Sequence, residues 1–453
     1  MELPNYFLAD LPDASTLTPQ LIRDACLTLK QNRAKFLAAQ STESIIAILA
    51  KLGREWLEPD FHFRKEVLEK GPQETGFGRE TLAIGLNRFF AQLTRENLEA
   101  LVIQDLGSLR RLDEVTADEV EQKQDRSSIA HGPELLVHVT GGVLPNAPFM
   151  SMILGLLAKS AQFVKCASGT SFLPRMFAHS LYAAQPKLGA CLELAEWKGG
   201  TAPFEEALFA EANCVTATGS DESILEIRNQ LSARVRFVGY GNKLSVAYLT
   251  RESLEKHGAE KIAAELAEDI TAWNQLGCLS PHAVYVEESR ATIALDFARA
   301  LADQLSAREE TDPRGPVSPQ TAAAITTRRM FYEVRSSADP LTKVWKSDGS
   351  TAWTVVHDTS VDFQPSCLNR FIFVKPLQDL AELAASIGTL HGQISTVGLA
   401  APMPRAKEIS TRLAQAGVTR ICRIGKMQDP PLTWRHDGRP SLGELVTWTD
   451  IEL

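Results

Sequence analysis

The hydrophobic positions in the middle of the chain predict an alternation of short strands and helices. Short apolar runs alternate with longer segments in which apolar residues recur every three or four positions. Strand and helix alternate four times with short links, which is typical of a parallel sheet covered by helices on both faces. The predicted strands are 135–139, 163–165, 191–194, 214–217 and 235–238, and the predicted helices are 146–160, 171–184, 203–212 and 221–231.

The flanking segments predict a helical layer before this alternation and a second α/β unit after it. Apolar residues recur at helical spacing from about residue 18 to residue 106, and the charged stretch 113–133 is predicted to be a surface connection or an exposed arm. The second unit begins near Ser253 with an amphipathic helix over 253–276. Its further predicted elements are helices 291–308, 378–388 and 404–416, strands 283–286, 352–357, 371–375 and 395–399, and a solvated loop at 307–318.

Composition excludes several classes of protein. The 453-residue chain carries a formal net charge of −9, and a mildly acidic protein is poorly suited to nucleic acid as its main partner. Its seven cysteines contain no CxxC pair, so their spacing indicates neither a metal site nor a redox dithiol, and reduced thiols fit a cytosol. The N-terminus lacks a signal-peptide pattern, and the apolar run 149–158 is too short to cross a bilayer. We therefore expect a soluble, cytoplasmic protein without a transmembrane segment.

Cys278 is the strongest candidate for chemistry on the evidence of the residues themselves. It lies at a predicted helix-to-strand junction, in QLGCLSP at 275–281, where Gly277 leaves room for a substrate carbonyl to approach the thiol. Its backbone N–H would then be placed to stabilise an oxyanion. The alternative is a small buried hydrophobic residue, which is what most free cysteines are. A preceding helix C-terminus raises a thiol pKa, so activation would have to come from elsewhere.

Ligands of a parallel sheet lie beyond the carboxyl ends of its strands, which directs attention to three loops at 140–146, 165–171 and 217–221. Thr218, Gly219 and Ser220 precede the predicted helix 221–231. The amides at this helix start suit a pyrophosphate, although an ordinary Ser/Asp cap explains the same residues. No GxGxxG follows the first strand, so the usual dinucleotide fingerprint is absent.

Several segments taken together resemble one enzyme family. The strongest are WNQLGCLSPHAVYVE at 273–287 and WRHDGRPSLGELVTWTDIE at 434–452. Weaker agreement lies in the segments 156–171, 218–224, 238–245 and 416–427. From about Phe63 to its C-terminus, the sequence resembles the acyl-CoA reductases of the bioluminescence fatty-acid reductase type, a branch of the aldehyde dehydrogenase superfamily.

The resemblance implies an α/β fold like that of the aldehyde dehydrogenases, with a parallel-sheet cofactor domain and a second α/β catalytic domain. A helical N-terminal layer and the NAD(P)-binding domain would span 1–250, the catalytic domain 251–420, and a segment at 421–453 would return to the sheet or to an oligomer contact. The implied activity is NADPH-dependent reduction of an acyl thioester, such as a long-chain fatty acyl-CoA, to the aldehyde, with NADH as the alternative coenzyme. Cys278 would carry the acyl group as a thioester before hydride transfer.

The same resemblance assigns roles to residues of the first sheet. Lys165 corresponds to the lysine that holds the adenosine ribose or its 2′-phosphate, and with Ser168 close behind, it favours NADP(H); a solvated charge is the alternative. Gly239 occupies the position where hydrolytic relatives carry a glutamate that activates water, so water should attack the acyl-enzyme slowly. Alternatively, Gly239 and Gly241 only permit a β-bulge, and both interpretations can hold.

One loop departs from the pattern of the family. In the loop after the first strand, the family commonly has Gly-Asn-x-Pro, and the amide of its asparagine donates to the oxyanion. This chain has Gly-Val-Leu-Pro at 142–145, so Val143 takes the place of the asparagine. Asn146 follows the proline directly and would supply the amide from a shifted register. The other two possibilities are that the Cys278 N–H acts alone, with a loss of transition-state stabilisation, or that the protein is slow or has a changed substrate.

Three other functions stay open at this stage. A hydrolytic aldehyde dehydrogenase is disfavoured by the missing glutamate, and an acyl-phosphate reductase is disfavoured by the lack of a basic cluster near Cys278 in the sequence. A non-catalytic scaffold for an acyl-activating partner enzyme belongs to a different class.

The expected partners are an acyl-CoA or acyl-carrier substrate, an acyl-activating enzyme and further copies of the chain. His138 is predicted to be a core residue, and a structural role is favoured for the turn 436–438.

Overall fold

The computed structural model describes residues 3–12, 16–142, 144–288, 292–388, 390 and 392–453. The chain divides into two compact units. Unit 1 comprises Met1–Thr75, Leu86–Gly241 and Pro431–Leu453, and unit 2 comprises Gly76–Gly85 and Asn242–Pro430. The division falls after Gly241 instead of at residue 250 because the strand Leu244–Leu249 pairs within the sheet of unit 2.

The helices and strands have the following bounds. The helices are α1 (Pro19–Asn32), α2 (Thr42–Leu57), α3 (His62–Thr75), α4 (Arg79–Ala91), α5 (Arg95–Leu106), α6 (Glu119–Lys123), α7 (Asn146–Leu157), α8 (Phe172–Ala184), α9 (Pro186–Gly189), α10 (Ala202–Phe209), α11 (Asp221–Gln230), α12 (Arg251–His257), α13 (Ala259–Thr271), α14 (Ile293–Thr311), α15 (Pro319–Ala338), α16 (Leu380–Gly388) and α17 (Met403–Gln415). The strands are β1 (Ser127–His131), β2 (Leu135–Val139), β3 (Ala161–Cys166), β4 (Leu192–Glu196), β5 (Cys214–Thr218), β6 (Arg236–Tyr240), β7 (Leu244–Leu249), β8 (Pro281–Glu287), β9 (Lys343–Lys346), β10 (Thr354–His357), β11 (Phe371–Leu377), β12 (Ile394–Ala400), β13 (Arg420–Arg423) and β14 (Thr447–Ile451). In the described part of the chain, no helix combines the length and apolar character needed to span a bilayer.

Unit 1 is built on a five-stranded sheet in the order β4-β3-β2-β5-β6, and every neighbouring pair is parallel. All six residues of β3 are buried, and β2 is buried except at its last residue. Strands with apolar residues on both sides require helices on both faces, which the intervening α7, α8, α10 and α11 supply. The predicted α/β class with a parallel sheet is therefore confirmed.

Unit 2 is built on a seven-stranded sheet in the order β13-β12-β7-β8-β11-β10-β9, parallel except where β9 runs antiparallel to β10. The central strand β8 is buried at all seven residues. Alternate residues of its strands enter two separate apolar clusters, so one face packs on α13 and α14 and the other on α15, α16 and α17. Residues that precede β8 therefore lie at the amino edge of this sheet.

Two helical predictions in unit 2 were wrong. The predicted single helix 253–276 is interrupted at Gly258, which has φ +81°, and it continues as α13 and a 3₁₀ turn at Ala272–Gln275. The apolar stripe continues past this break, which is why periodicity did not reveal it. The predicted solvated loop 307–318 begins inside α14, because that helix extends to Thr311.

The charged stretch 113–133 is not an exposed arm throughout, because it contains α6 and β1. β1 pairs antiparallel with β14 in a separate two-stranded sheet, with Ser127 opposite Ile451 and Ala130 opposite Trp448. The C-terminal segment therefore returns to unit 1 through β1 instead of extending the five-stranded sheet.

Candidate active site

Cys278 is the exposed residue of the turn between the 3₁₀ turn at Ala272–Gln275 and β8, whose flanking residues Gly277 and Leu279 are buried. The turn is closed by the Ser280 N–H, which donates to the Gly277 carbonyl at 2.9 Å. The Ser245 hydroxyl on β7 donates to the Cys278 carbonyl oxygen at 2.6 Å. The main chain of the cysteine is thus attached to a buried strand while the residue itself faces solvent, and the structure rejects the buried-hydrophobe alternative.

The other six cysteines have different surroundings, and all seven lie within the described residues. Cys26, Cys166, Cys191 and Cys214 are buried, and burial raises the pKa of each of these thiols to about 12. Cys367 and Cys422 are half-buried, and burial raises the pKa of both, that of Cys422 to about 11. Because the thiolate is the nucleophile, these six are poor candidates, and among the seven only Cys278 is exposed.

His282 is a neighbour of the cysteine turn that the sequence reasoning did not single out, although it lies within the quoted segment 273–287. Its Nδ1 accepts a hydrogen bond of 3.1 Å from the Ser366 N–H. Burial lowers the pKa of His282 to about 4. The hydrogen bond from Ser366 fixes the loop at 366 against the start of β8. An imidazole with this low pKa is too weak a base to ionise a thiol at neutral pH.

Lys165 lies near the carboxyl end of β3 in unit 1, with the residue 5% exposed. Its ammonium has no hydrogen-bond acceptor or ion-pair partner among the described residues, and Nζ lies 5.7 Å from the centroid of the Trp197 ring. Burial lowers the pKa of Lys165, against the opposing effects of Glu205 and Glu196. An ammonium that burial of its residue partly withdraws from water, with no acceptor among the described residues, suits a group that receives a hydroxyl or phosphate oxygen from a ligand.

The loop after β3 contains Ser168, which is exposed. Glu196, at the end of the neighbouring strand β4, braces this loop: Oε1 accepts from the Gly169 N–H at 2.6 Å and Oε2 accepts from the Ser171 N–H at 3.2 Å. A carboxylate on the strand next to Lys165 favours ribose hydroxyls over a 2′-phosphate. This residue bears on the choice of coenzyme and was missed from the sequence, because the pairing of β3 with β4 was needed to find it.

Thr218, Gly219 and Ser220 link β5 to α11. The Thr218 hydroxyl oxygen accepts from the Gly141 N–H at 3.1 Å, and the Gly219 N–H donates to the Tyr240 carbonyl at 3.2 Å. Ser220 is the N-cap of α11 and accepts from the Ser223 N–H at 3.3 Å. The ordinary cap is therefore present, and its first turn also carries two carboxylates, Asp221 and Glu222, which disfavour an anion there.

The loop that follows β2 lies close to the link between β5 and α11. A Cβ on Gly141 would lie 2.5 Å from the Thr218 carbonyl oxygen, so only glycine allows the two loops to approach. The Thr140 N–H in turn donates to the Lys165 carbonyl at 3.0 Å. The loops that carry Lys165 and Thr218 are thereby brought to one edge of the unit 1 sheet, as the parallel topology predicts.

Gly239 lies in β6 with an uninterrupted register to β5, so the β-bulge considered for it is absent. A Cβ at this position would lie 2.8 Å from Ile224 Cγ2 and 2.9 Å from the Phe237 ring. Its carbonyl accepts a hydrogen bond of 2.8 Å from Arg439. The position is therefore closely packed against α11, and a larger side chain requires the neighbours to move.

Asn146 is the first residue of α7. Its Oδ1 is buried and has no hydrogen-bond partner among the described residues. Val143, the residue at which the loop departs from the family pattern, lies outside the described residues. Asn146 belongs to unit 1 and Cys278 to unit 2.

The tail motif at 434–439 packs on β6. The His436 ring stacks on Tyr240 at a centroid distance of 4.4 Å and contacts Trp434 at 4.7 Å. The Arg439 guanidinium lies 4.5 Å from the Tyr240 ring centroid. Aromatic and cation–π contacts account for the conformation of this tail, in keeping with the structural role predicted for it. The described part of the chain contains no cluster of three or more potential metal ligands among its His, Cys, Asp and Glu residues.

Comparison with known proteins identifies both a family and a fold. The family model described as "Acyl-CoA reductase (LuxC)" matches residues 37–448. No curated protein matches the chain significantly. Many solved structures match, including proline utilization A (PutA) of Bradyrhizobium japonicum, with 16% identity and a TM-score of 0.71 over 96% of this chain and 45% of that one.

Two matches cover nearly the whole of the other chain as well. A putative aldehyde dehydrogenase PutA from Anabaena variabilis has 15% identity and a TM-score of 0.70, covering 96% of this chain and 93% of that one. The NADP-dependent glyceraldehyde-3-phosphate dehydrogenase of Bacillus halodurans, solved in complex with NADP, has 12% identity and a TM-score of 0.71, covering 96% and 91%. At these identities the likeness establishes the fold, which is that of the aldehyde dehydrogenases, as predicted. The chain spans less than half the length of the bifunctional PutA proteins that it matches.

Proposed function

This chain belongs to the acyl-CoA reductase (LuxC) family, and from that membership we propose that it reduces a long-chain fatty acyl-CoA to the aldehyde with NADPH, through an acyl-enzyme on Cys278. Family and fold together support reduction of a fatty acyl group to an aldehyde in general. The observation that carries the finer proposal is that Cys278 is exposed in a turn bonded to the strand β7, whereas the other six cysteines are buried or half-buried.

The proposed reaction has two stages at one sulfur. The Cys278 thiolate attacks the thioester carbonyl, a new C–S bond forms, and the bond to the CoA sulfur breaks, so that the CoA thiolate leaves and takes a proton from solvent. The coenzyme supplies hydride to the acyl carbon when bound. The thiohemiacetal anion on Cys278 then expels the cysteine thiolate and releases the aldehyde.

Residues of unit 1 are proposed to hold the coenzyme. Lys165 would receive the ribose or its 2′-phosphate, with Ser168 beside it. The lack of a hydrogen-bond acceptor or ion-pair partner for the Lys165 ammonium among the described residues supports this role. Thr218, Gly219 and Ser220 would contact the pyrophosphate, although the cap at Ser220 and the Gly219 N–H are already used within the protein. The proposal of NADPH rests on Lys165, whereas the carboxylate of Glu196 supports NADH as the alternative coenzyme.

Two features are proposed to direct the acyl-enzyme to reduction. Gly239 provides no carboxylate to activate water. The backbone N–H of Cys278 and the side-chain amide of Asn146 are the proposed donors to the oxyanion, and the buried Oδ1 of Asn146 without a partner indicates that this amide is not committed to the fold through its oxygen.

The experiment is to trap the acyl-enzyme. The protein is incubated with decanoyl-, tetradecanoyl- and octadecanoyl-CoA without coenzyme, and its peptides are analysed by mass spectrometry; NADPH or NADH is then added and aldehyde is measured. We expect an acyl adduct on Cys278 that NADPH converts to aldehyde. Cys278→Ser should abolish both signals, and Cys367→Ser, at a half-buried cysteine of the same unit, should retain both.

Three outcomes would oppose the proposal. An adduct that yields fatty acid instead of aldehyde indicates a hydrolytic enzyme. Reduction of an acyl phosphate but not of an acyl-CoA indicates the acyl-phosphate chemistry. No adduct and no aldehyde indicate the scaffold, whose acyl-activating partner would then hold the acyl group.

The same incubation repeated with an acyl-carrier protein tests the alternative acyl donor. Sedimentation velocity tests the proposed homo-oligomer.

A further inference from the structure

Unit 2 contains two short segments with an uncommon backbone conformation. Trp273, Asn274 and Gln275 have φ of 49°, 52° and 64°, and Leu368, Asn369 and Arg370 have φ of 56°, 54° and 64°. Non-glycine residues in the left-handed region cost about 1–3 kcal/mol each and persist only where surrounding contacts determine them. We call 273–275 the first strained segment and 368–370 the second strained segment. The contacts around these two segments must explain why this backbone conformation persists.

The two segments are bonded directly to each other. Arg370 Nη2 donates to Asn274 Oδ1 at 3.0 Å. The Gln275 side-chain amide donates to the carbonyl of Phe371 at 2.9 Å and also to that of Pro281 at 2.7 Å. The first strained segment is thus fixed both to the second one and to the residue that begins β8.

Arg370 is the centre of these contacts and is fully buried. Besides Asn274, its guanidinium donates to Glu309 Oε2 at 3.1 Å, to the Asp312 carbonyl at 2.7 Å and to Asp312 Oδ2 at 3.3 Å. Asp312 is itself held by the Thr81 hydroxyl, which donates to Oδ1 at 2.7 Å. Two carboxylates offset the cost of burying the guanidinium, so its position is determined from several elements of the unit.

The cysteine turn follows the first strained segment immediately. Gln275 contacts the carbonyl of Pro281, and Ser245 contacts the carbonyl of Cys278, so the turn is held at its beginning, its middle and its end. Arg370 reaches the turn through Asn274 and the strained backbone of that segment.

We propose that Arg370 is a positioning residue for Cys278, which uses its bond to Asn274 to hold the left-handed segment and thereby set the direction in which the thiol is presented. The role rests on the proposed function in that Cys278 is taken as the reacting thiol. A side chain that only stabilised unit 2 would not need to be joined to the one strained segment that leads into the nucleophile.

The chain offers a closely matched control in Arg329. This arginine is also buried in unit 2, and it donates to the Thr354 and Ser347 hydroxyl oxygens and to the Ser350 and Trp353 carbonyls at 2.6–3.1 Å. Its contacts fix the 347–354 segment, which meets the second strained segment through the main chain, where the Thr354 N–H donates to the Arg370 carbonyl at 2.9 Å. Arg329 therefore tests whether support of that main chain, without the bond from the Arg370 guanidinium to Asn274, is enough to position the turn. Replacing either arginine by lysine removes a planar fork of donors but keeps the charge, so the two variants lose a similar amount of hydrogen bonding.

The test compares Arg370→Lys with Arg329→Lys in the full chain. Three quantities are measured: the rate at which iodoacetamide alkylates Cys278, followed by mass spectrometry of its peptide; kcat and KM with tetradecanoyl-CoA and NADPH; and the thermal midpoint. For Arg370→Lys we expect kcat to fall about 10–100-fold with KM within about twofold, and alkylation of Cys278 to change at least about threefold. For Arg329→Lys we expect both kcat and the alkylation rate within about twofold of wild type at a similar loss of thermal stability.

A second pair of variants retains Arg370 and serves if Arg370→Lys does not fold. Asn274→Gly accepts the left-handed conformation but removes the acceptor, whereas Asn274→Asp keeps an acceptor in a residue that tolerates this conformation. We expect the glycine variant to reproduce the losses and the aspartate variant to restore at least part of them. Equal kcat and alkylation in Arg370→Lys, Asn274→Gly and wild type would overturn the proposal, as would equal losses in Arg329→Lys.

The alkylation rate separates this inference from the proposed function. If the wild-type protein reduces no acyl-CoA but the variants still change alkylation of Cys278 as expected, the proposed function fails and the positioning role stands. If reduction is confirmed and alkylation and kcat are insensitive to both sets of variants, the positioning role fails alone.

Discussion

The His138 Nε2 lies 3.0 Å from Gln162 Oε1, and the geometry of the pair fixes the tautomer of the imidazole. The amide nitrogen of Gln162 donates to the Met152 carbonyl at 3.1 Å, so Oε1 is the end that accepts and His138 Nε2 carries the proton. His138 Nδ1 then accepts from the Thr216 hydroxyl at 2.6 Å. Burial lowers the pKa of His138 to about 4, and the residue is a neutral part of the core.

This buried histidine predicts that the stability of the protein falls in acid. Because the pKa is about 4 in the folded state and about 6.5 in the unfolded chain, the unfolded state binds more protons between these values. The free energy of unfolding should therefore decrease as the pH falls from about 6.5 towards 4, by at most about 3 kcal/mol from this residue.

The measurement is urea unfolding at pH 7.5 and pH 4.5. In His138→Gln the pH-dependent loss should be smaller than in wild type, and the part that remains includes His282, whose pKa is also lowered to about 4. Replacement of the exposed His131 by Gln is the control and should leave the loss unchanged. A full loss in His138→Gln would show that this imidazole is not the group that titrates.

The choice of coenzyme should depend on Lys165 and Glu196 in opposite senses. If Lys165 receives the 2′-phosphate, Lys165→Met should raise KM for NADPH about tenfold or more and KM for NADH much less. Glu196→Gln should shift the preference towards NADPH, because it removes a negative charge next to the phosphate. Steady-state kinetics with both coenzymes measure the ratio, with Lys198→Met, at an exposed neighbour, as the control. Equal effects of Lys165→Met on the two coenzymes would assign the lysine to the ribose alone.

Introducing a carboxylate at position 239 should open a route to hydrolysis. Gly239→Glu meets Ile224 Cγ2, so we combine it with Ile224→Ala to make space. The ratio of fatty acid to aldehyde formed from tetradecanoyl-CoA should rise relative to Ile224→Ala alone, since a general base can activate water against the acyl-enzyme. Gly239→Ala with Ile224→Ala is the size control, and an unchanged ratio in the glutamate variant contradicts the role given to Gly239.

Asn146→Ala tests the proposed oxyanion donor. Loss of one such donor lowers kcat by about 10²–10³-fold in other enzymes, so a similar fall with little change in KM is expected here. Single-turnover reduction of the acyl-enzyme by NADPH measures the step directly, and circular dichroism confirms that the variant is folded. Turnover at the wild-type rate would remove Asn146 from the mechanism and leave the Cys278 N–H as the proposed donor.

The fold could be predicted from the sequence where buried elements consist of consecutive or regularly spaced apolar residues. β2 and β3 are buried on both faces, so their sequences are continuous apolar runs. β9 is an edge strand with a lysine at each end, and it shows no such run. α15 was missed for a related reason: it buries only Ile325, Arg329 and Tyr332 and exposes large apolar residues beside them, so its sequence lacks a clear apolar stripe.

The sequence could predict those site residues that lie within one short segment, but not the contacts between residues far apart in the chain. The segment around Cys278 gave the candidate nucleophile, but a buried hydrophobic residue stayed open as the alternative, and the exposure of the residue was decided only by the structure. The bond between Asn274 and Arg370 joins residues 96 positions apart, and nothing local to either residue indicates the other. Glu196 illustrates the same limit, because its relation to Lys165 depends on which strand lies next to β3.

The pairing of β1 with β14 has a consequence for synthesis on the ribosome. β1 leaves the exit tunnel early, whereas its partner is made only after all of unit 2. At a translation rate of about 10 residues per second, an open strand edge waits on the order of half a minute for its partner, and such edges are prone to associate with other chains. Nascent polypeptides should therefore depend on holding chaperones until Thr447–Ile451 emerges, and shortening the chain by those residues should convert the product into inclusion bodies.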